Sequence, residues 1–239
     1  FSFETPPPVV QTQHPNEYSG PQRLDVPMFV SFDQKIDAAA VLQHIEVSVG
    51  GKAVAIRALD AAEIEKDPTI KALVDGAKAA ELDGRWVAFR AVEPFPKATR
   101  ISVNVKQGMP SAEGPNPTKA DQAWGFETYH PLRIDDSYCG WHGSPCAPGT
   151  PFTIQFNNPL KADKWDDAQV TVTPAIPGLK VEQAGGWVNL YGRTKGRTKY
   201  TVVVSGLSGE GYFTLGVNAT SDVSDLAGLP LAFTKTSAP

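Results

Sequence analysis

Two cysteines offer the most specific chemistry in this 239-residue chain. Cys139 and Cys146 are its only ones, and they bracket Gly140-Trp141-His142-Gly143-Ser144-Pro145. A short loop rich in Gly and Pro can bring two thiols to bonding distance. A bridge closing so short a loop would stabilise by about 2–3 kcal/mol through lost chain entropy. Read as a local disulfide, the pair implies an oxidising compartment. Two other readings stay open. One is a zinc site of Cys139, His142 and Cys146 with His130 as fourth ligand, although the spacing matches no known ribbon or finger. The other is two unrelated free thiols. Trp141, inside the loop, is the candidate for an exposed contact.

Other reactive residues do not form a constellation. His14, His44, His130 and His142 stand apart, with His14 in an expected linker and His44 in an expected strand. Asp135-Asp136 and Asp166-Asp167 are acidic pairs of the kind that serve a metal or sugar hydrolysis, but in turns such pairs more often cap or are solvated. No Gly-x-Ser-x-Gly, P-loop, His-Glu-x-x-His or EF-hand pattern is present. The reading is therefore a non-enzyme with no catalytic residue, metal ligand, cofactor-binding residue or cofactor. Asn218-Ala219-Thr220 is a glycosylation sequon, meaningful only in a secretory eukaryotic host. Trp86 and Trp187 occupy equivalent strand positions, which favours a repeated core role over a sugar platform.

Composition narrows the partners. The formal net charge is -4 and the basic residues form no run, so nothing points to nucleic acid. No apolar stretch approaches the roughly 18 residues of a membrane helix. The 41% hydrophobic content suits a packed core rather than a disordered chain.

The elements that would position these residues come twice. Pro27-Met28-Phe29-Val30-Ser31-Phe32 aligns with Pro151-Phe152-Thr153-Ile154-Gln155-Phe156 at an offset of 124, and Ile36 with Leu160 at the same offset. Trp86-Val87-Ala88-Phe89 aligns with Trp187-Val188-Asn189-Leu190 at an offset of 101. Thr99 to Val103 aligns with Thr198 to Val202 at an offset of 99. The drop from 124 to 101 leaves 23 extra residues between Val49 and Trp86 of the first copy. Phe126-Glu127-Thr128 closes the first copy, Phe233 echoes it at the end, and Phe3-Glu4-Thr5 repeats it at the front. The first residues thus read as the closing strand of a preceding unit, and a tandem array of this kind binds, spaces or traps rather than catalyses.

Along the chain, residues 1–20 read as that end strand plus a Pro-rich linker, residues 21–129 as a first β-module and 130–239 as a second. Met28, Val30 and Phe32 predict a strand with one buried face, as do Ile45, Val47 and Val49. Gly50-Gly51 predicts a hairpin into Ala53 to Ile56. The insertion near 60–82 reads as helix: Asp60 with Glu63 has capping-box spacing, Asp67-Pro68 is a second start, and Ile70, Leu73, Val74 and Ala77 form an apolar face. Gly76 can weaken or end that helix. Gly108 to Asp121 reads as surface loop. In the second module, Val170 to Val172 matches the Ile45 strand, and Ala184-Gly185-Gly186 predicts a hairpin between Lys180 to Glu182 and Trp187 to Tyr191. Tyr200 to Val204 and Phe213 to Val217 follow, and Asp225 to Pro230 predicts the last turn. An all-β fold of two tandem sandwich modules, each of about 110 residues, fits these spacings.

The run Pro27 to Asp37, Tyr200 to Val204, and Asp225-Leu226-Ala227-Gly228 before Phe233 resemble bacterial Ig-like modules. With Phe3-Glu4-Thr5-Pro6-Pro7-Pro8 and Pro110 to Pro115, essentially the whole chain resembles the N-terminal region of bacterial alpha-2-macroglobulin-like proteins. The resemblance implies two tandem Ig-like β-sandwich domains, the first with a short helical insertion, in a large periplasmic or cell-surface (extracellular) bacterial parent. Family members trap proteases, and many bond them through an internal thioester. Cys139 and Cys146 lie in no thioester context, so none is carried over. The implied role is a non-catalytic scaffold of a protease inhibitor, meeting proteases through the full-length parent and touching neighbouring domains of the same chain. The alternative is a spacer or adhesion module of a bacterial cell-surface protein, and a third reading is an accessory domain of a secreted carbohydrate-active enzyme.

Overall fold

A computed structural model describes residues 6–140 and 146–206 in full, and the backbone of 207–208, 214–215, 217–221 and 233–237. The chain divides into two compact units, Phe1–Tyr129 and His130–Pro239. The first unit runs β1 (Val10–His14), β2 (Met28–Phe32), α1 (Ala38–His44), β3 (Ile45–Val49), β4 (Lys52–Val54), β5 (Ile56–Ala58), α2 (Ala61–Lys66), α3 (Pro68–Ala79), β6 (Trp86–Ala91), β7 (Arg100–Val105) and β8 (Gln122–Glu127). The second runs β9 (Ile134–Cys139), β10 (Phe152–Phe156), β11 (Val170–Thr173), β12 (Lys180–Ala184), β13 (Trp187–Tyr191), β14 (Thr201–Val204), β15 (Leu207–Ser208), β16 (Thr214–Leu215), β17 (Val217–Ser221) and β18 (Phe233–Ser237).

The fold is mostly β and antiparallel, with few helices. The first unit has two four-stranded sheets, ordered β1-β2-β6-β5 and β4-β3-β7-β8. One core joins their inner faces: Met28, Val30, Phe32, Val87 and Phe89 meet Val47, Ile101, Val103, Val105, Trp124 and Phe126. This is a sandwich-like arrangement, in which burial of each large apolar side chain contributes about 1.5–3 kcal/mol. Gly50 and Gly51, with φ of 55° and 78°, make the β3–β4 turn, a backbone conformation that favours glycine. The stretch read as one strand from Ala53 splits at Ala55. β4 pairs with β3, whereas β5 pairs with β6 in the other sheet. Val54 and Ile56 on either side of the crossing both pack on the core.

In the second unit one sheet is ordered β12-β13-β10-β9. β11 pairs with β14, β15 with β16, and β17 with β18. Its core gathers Ile134, Phe152, Ile154, Phe156, Val188 and Leu190 with Val170, Tyr200, Val202 and Val204.

Strands aligned by sequence are also aligned by hydrogen bonding. Met28 pairs with Phe89 and Val30 with Val87, while Phe152 pairs with Leu190 and Ile154 with Val188. Ile45–Val105 and Val47–Val103 correspond in the same way to Val170–Val204 and Val172–Val202. Phe32 N–H donates to the Arg85 carbonyl and Ile36 N–H to Gly84; Phe156 N–H donates to Gly186 and Leu160 N–H to Gly185. The repeat is one of register, not only of residue type.

Several expectations change. Val10 to His14, read as linker, is an edge strand paired with β2. Its sequence is polar because an edge strand has little to bury. Residues 38–44 form a helix, so His44 ends a helix rather than lying in a strand; Asp37 caps it by accepting from the Ala39 and Ala40 amides. β2 is buried on both faces, not one. α3 continues past Gly76 to Ala79, since its face packs on the sheet. Phe3-Glu4-Thr5, Phe213 and the turn Asp225 to Pro230 lie outside the described residues, and Phe233 is described only in its backbone.

Candidate functional site

Cys139 and Cys146 form a disulfide, with Cα atoms 5.3 Å apart. The bond takes both thiols out of the zinc and free-thiol readings. Cys139 belongs to the core, so the bridge ties the loop to the end of β9. Trp141 and His142 lie outside the described residues.

The other expected groups are not brought together. His14 ends β1, His44 ends α1 with Nδ1 2.9 Å from the Ala40 carbonyl, and His130 precedes β9. Burial lowers the His14 pKa, opposed by the charge of Asp67. Asp166 accepts from Ala168 N–H at 2.9 Å and caps a short 3-10 turn, and Asp167 accepts from the Trp165 indole at 2.8 Å. Asp136 accepts from Ser137 N–H at 2.6 Å, and Asp135 sits 3.3 Å from the Arg133 guanidinium. Among the described residues no cluster of His, Cys, Asp or Glu could hold a metal ion. No described helix is long and apolar enough to cross a membrane.

Two features went unread in the sequence. The first is a polar clamp repeated in both units. Val9 N–H donates to Asp33 Oδ1 at 2.7 Å while Asp33 N–H donates back to the Val9 carbonyl. Arg133 and Asn157 make the same two bonds, at 2.8 and 3.2 Å. Beside them the buried Gln34 amide donates to the Pro6 carbonyl, and the buried Asn158 amide to the His130 carbonyl, each at 2.6 Å. A hydrogen bond of this kind contributes about 0.5–1.5 kcal/mol, and these buried amides fix where the chain enters each unit. The offset of 124 links every pair and was the available signal.

The second is how the outer face of each four-stranded sheet is treated. In the first unit Ile70, Val74 and Ala77 of α3 pack on Phe29 and Ala88, and Trp86 stacks on Phe29 with ring centroids 5.8 Å apart. Glu63 of α2 closes the capping box with Asp60 and takes Arg57 in a two-pronged bond at 2.6 and 2.7 Å. Arg90, opposite Arg57 on the next strand, reaches the same carboxylate at 3.5 Å. Chiefly because of the Arg57 hydrogen bond, the Glu63 carboxyl is held down to about 2. Arg23 similarly meets Asp67, which caps α3, at 2.7 Å. A shallow cleft of about 310 Å³ lies here, lined by Arg23, Asp25, Leu59, Glu63, Asp67 and Arg90. The short distances from Arg57 and Arg23 to these carboxylates bind the helices to β5 and to the connection ahead of β2 rather than holding charges ready for a ligand.

In the second unit the hairpin turn Gly185-Gly186 stands where the first has residues 59–85. Among the described residues no helix of that unit packs on the equivalent face, and Trp187 and Tyr191 are 46% and 36% exposed. The shared core role expected for Trp86 and Trp187 therefore fails: Trp86 packs under helix and Trp187 does not. Thr153 stands where Phe29 does, and Asn189 where Ala88 does; their side chains are hydrogen bonded at 2.8 Å.

The chain matches no protein-family model and no curated protein. Among solved structures, an LD transpeptidase in complex with imipenem is similar at a TM-score of 0.31 and 16% identity, over 96% of this chain and 81% of that one. A likeness that shallow carries no argument about fold or chemistry.

Proposed function

We propose that the chain is a non-catalytic scaffold of two tandem Ig-like β-sandwich domains in a bacterial alpha-2-macroglobulin-like protease trap, working in the periplasm or at the cell surface. The observation that carries the reading is the repeated frame: the same strand register and the same lead-in clamp, Asp33 and Gln34 in one unit, Asn157 and Asn158 in the other. A chain that is clamped at its entrance to each unit suits a shape-bearing array. The Cys139–Cys146 bridge suits an oxidising compartment. The Phe-x-Thr signal behind the resemblance has a structural reason. Phe126 fills the core, and the buried Thr128 hydroxyl donates to the Pro96 carbonyl at 2.7 Å and accepts from Thr99 N–H at 3.0 Å.

The bare face carrying Trp187 and Tyr191 favours a second reading, an adhesion module of a cell-surface protein. The two separate on the full-length parent, treated with methylamine and then a broad-specificity protease. Methylamine uptake, or compaction after one cleavage, supports the trap. No uptake with only progressive degradation sinks it and leaves the adhesion module.

A further inference from the structure

We propose that the outer face of the β12-β13-β10-β9 sheet binds a neutral glycan strand. Strand register lays the face out. Trp187 lies between Ala184 and Gln155, with Asp136 beyond; Asn189 lies between Glu182 and Thr153; and Tyr191 lies beside Lys180. Trp187 and Tyr191 are four residues apart on one strand and point to the same side, roughly 13 Å apart along it. That row spans a few sugar rings. An aromatic ring takes the apolar CH face of a sugar, while neutral amides and hydroxyls take its hydroxyl groups.

The polar groups are held in place. Thr153 Oγ1 donates to Asn189 Oδ1 at 2.8 Å, leaving the two N–H donors of that amide for a ligand. Lys180 Nζ donates to Glu182 at 2.5 Å, so their charges cancel at one edge. Asp136, at the opposite edge, has its Oδ1 on Ser137 N–H.

Charge selects the ligand class. Among the described residues at these register positions the centre is uncharged and the one cation, Lys180, is paired with Glu182, so a phosphate backbone or an acidic polymer finds no counter-charge. Single-stranded nucleic acid needs a positive groove beneath its stacked bases. An apolar helix is also a poor occupant, because Thr153 and Asn189 replace the Phe29 and Ala88 on which α3 sits in the first unit.

The test uses the whole chain, titrated with cellohexaose, chitohexaose, maltohexaose and laminarihexaose by calorimetry and tryptophan fluorescence. At least one should bind, and Trp187→Ala and Tyr191→Ala should each weaken it by about tenfold or more, the scale of one aromatic stacking contact. Trp187→Phe should restore most of the loss. Tyr18→Ala, at an exposed aromatic of the other unit, should change nothing. Circular dichroism checks that the variants fold. Binding of none of the four sugars, or binding untouched by both alanine variants, overturns the proposal. So does self-association of the wild type that Trp187→Ala abolishes without any sugar binding, which would assign the face to protein.

Discussion

At matched positions Phe29, Ala88 and Trp86 of the first unit stand where Thr153, Asn189 and Trp187 stand in the second. The backbone frame beneath them is the same, pair for pair. What differs is the connection ahead of β6 or β13: two helices in one unit, two glycines in the other. Where helices cover the sheet, the outward positions of β2 and β6 turn apolar and become a second core. Where no described helix covers it, the matched positions are the buried Thr153 and the half-buried Asn189, and Trp187 and Tyr191 on the same face are exposed. An insertion therefore fixes the chemistry of residues on strands it does not belong to.

The largest expected effect comes from giving the first unit the second unit's residue. Phe29→Thr removes a fully buried ring from beneath α3 and should cost about 3–5 kcal/mol in urea unfolding of the first unit, leaving the second unchanged. Next is the Cys139→Ser/Cys146→Ser double variant, which should lower the second unit alone by about 2–3 kcal/mol. The clamp should behave alike in both units: Gln34→Ala and Asn158→Ala each remove the amide's hydrogen bond and should cost about 0.5–1.5 kcal/mol. A marked inequality would break the equivalence of the two lead-ins. The tryptophan pair should be unequal: Trp187→Ala should stay within about 0.5 kcal/mol and Trp86→Ala should exceed it severalfold.

The smallest effect is acid sensitivity of the helical cover. Glu63 has a folded pKa of about 2 against an ordinary 4.5. The unfolded chain therefore binds the proton first, and the stabilisation, present in full above pH 4.5, is lost as pH falls from there through 2. Arg57→Leu should flatten that part of the pH–stability profile for the first unit only. An unchanged profile would mean that Arg57 does not set the carboxyl.

Much of the frame was legible in the sequence because period-two alternation and the constant offsets record burial and register directly. The Asp60–Glu63 and Asp67-Pro68 signals likewise marked both helices of the insertion. β1 was not legible: as an edge strand of Val10-Gln11-Thr12-Gln13-His14 it carries no alternation. α1 carries little pattern because Ala38 and Ala39 are exposed and only Val41 is fully buried. Trp187 was misassigned because equivalent backbone positions do not imply equivalent neighbours; whether Trp is covered depended on residues 59–85, which only one copy has. The clamp was hidden because Asp33, Asn157, Gln34 and Asn158 look like ordinary turn residues until the aligned pairs are compared.

The contrast between the faces is tested most directly by fluorine NMR of the chain labelled with 5-fluorotryptophan, assigned by single Trp→Phe variants and titrated with a soluble paramagnetic gadolinium chelate. The Trp187 resonance should broaden severalfold more steeply than that of Trp86, whose indole nitrogen is buried. Equal broadening at the two positions would contradict a covered face in one unit and an open face in the other.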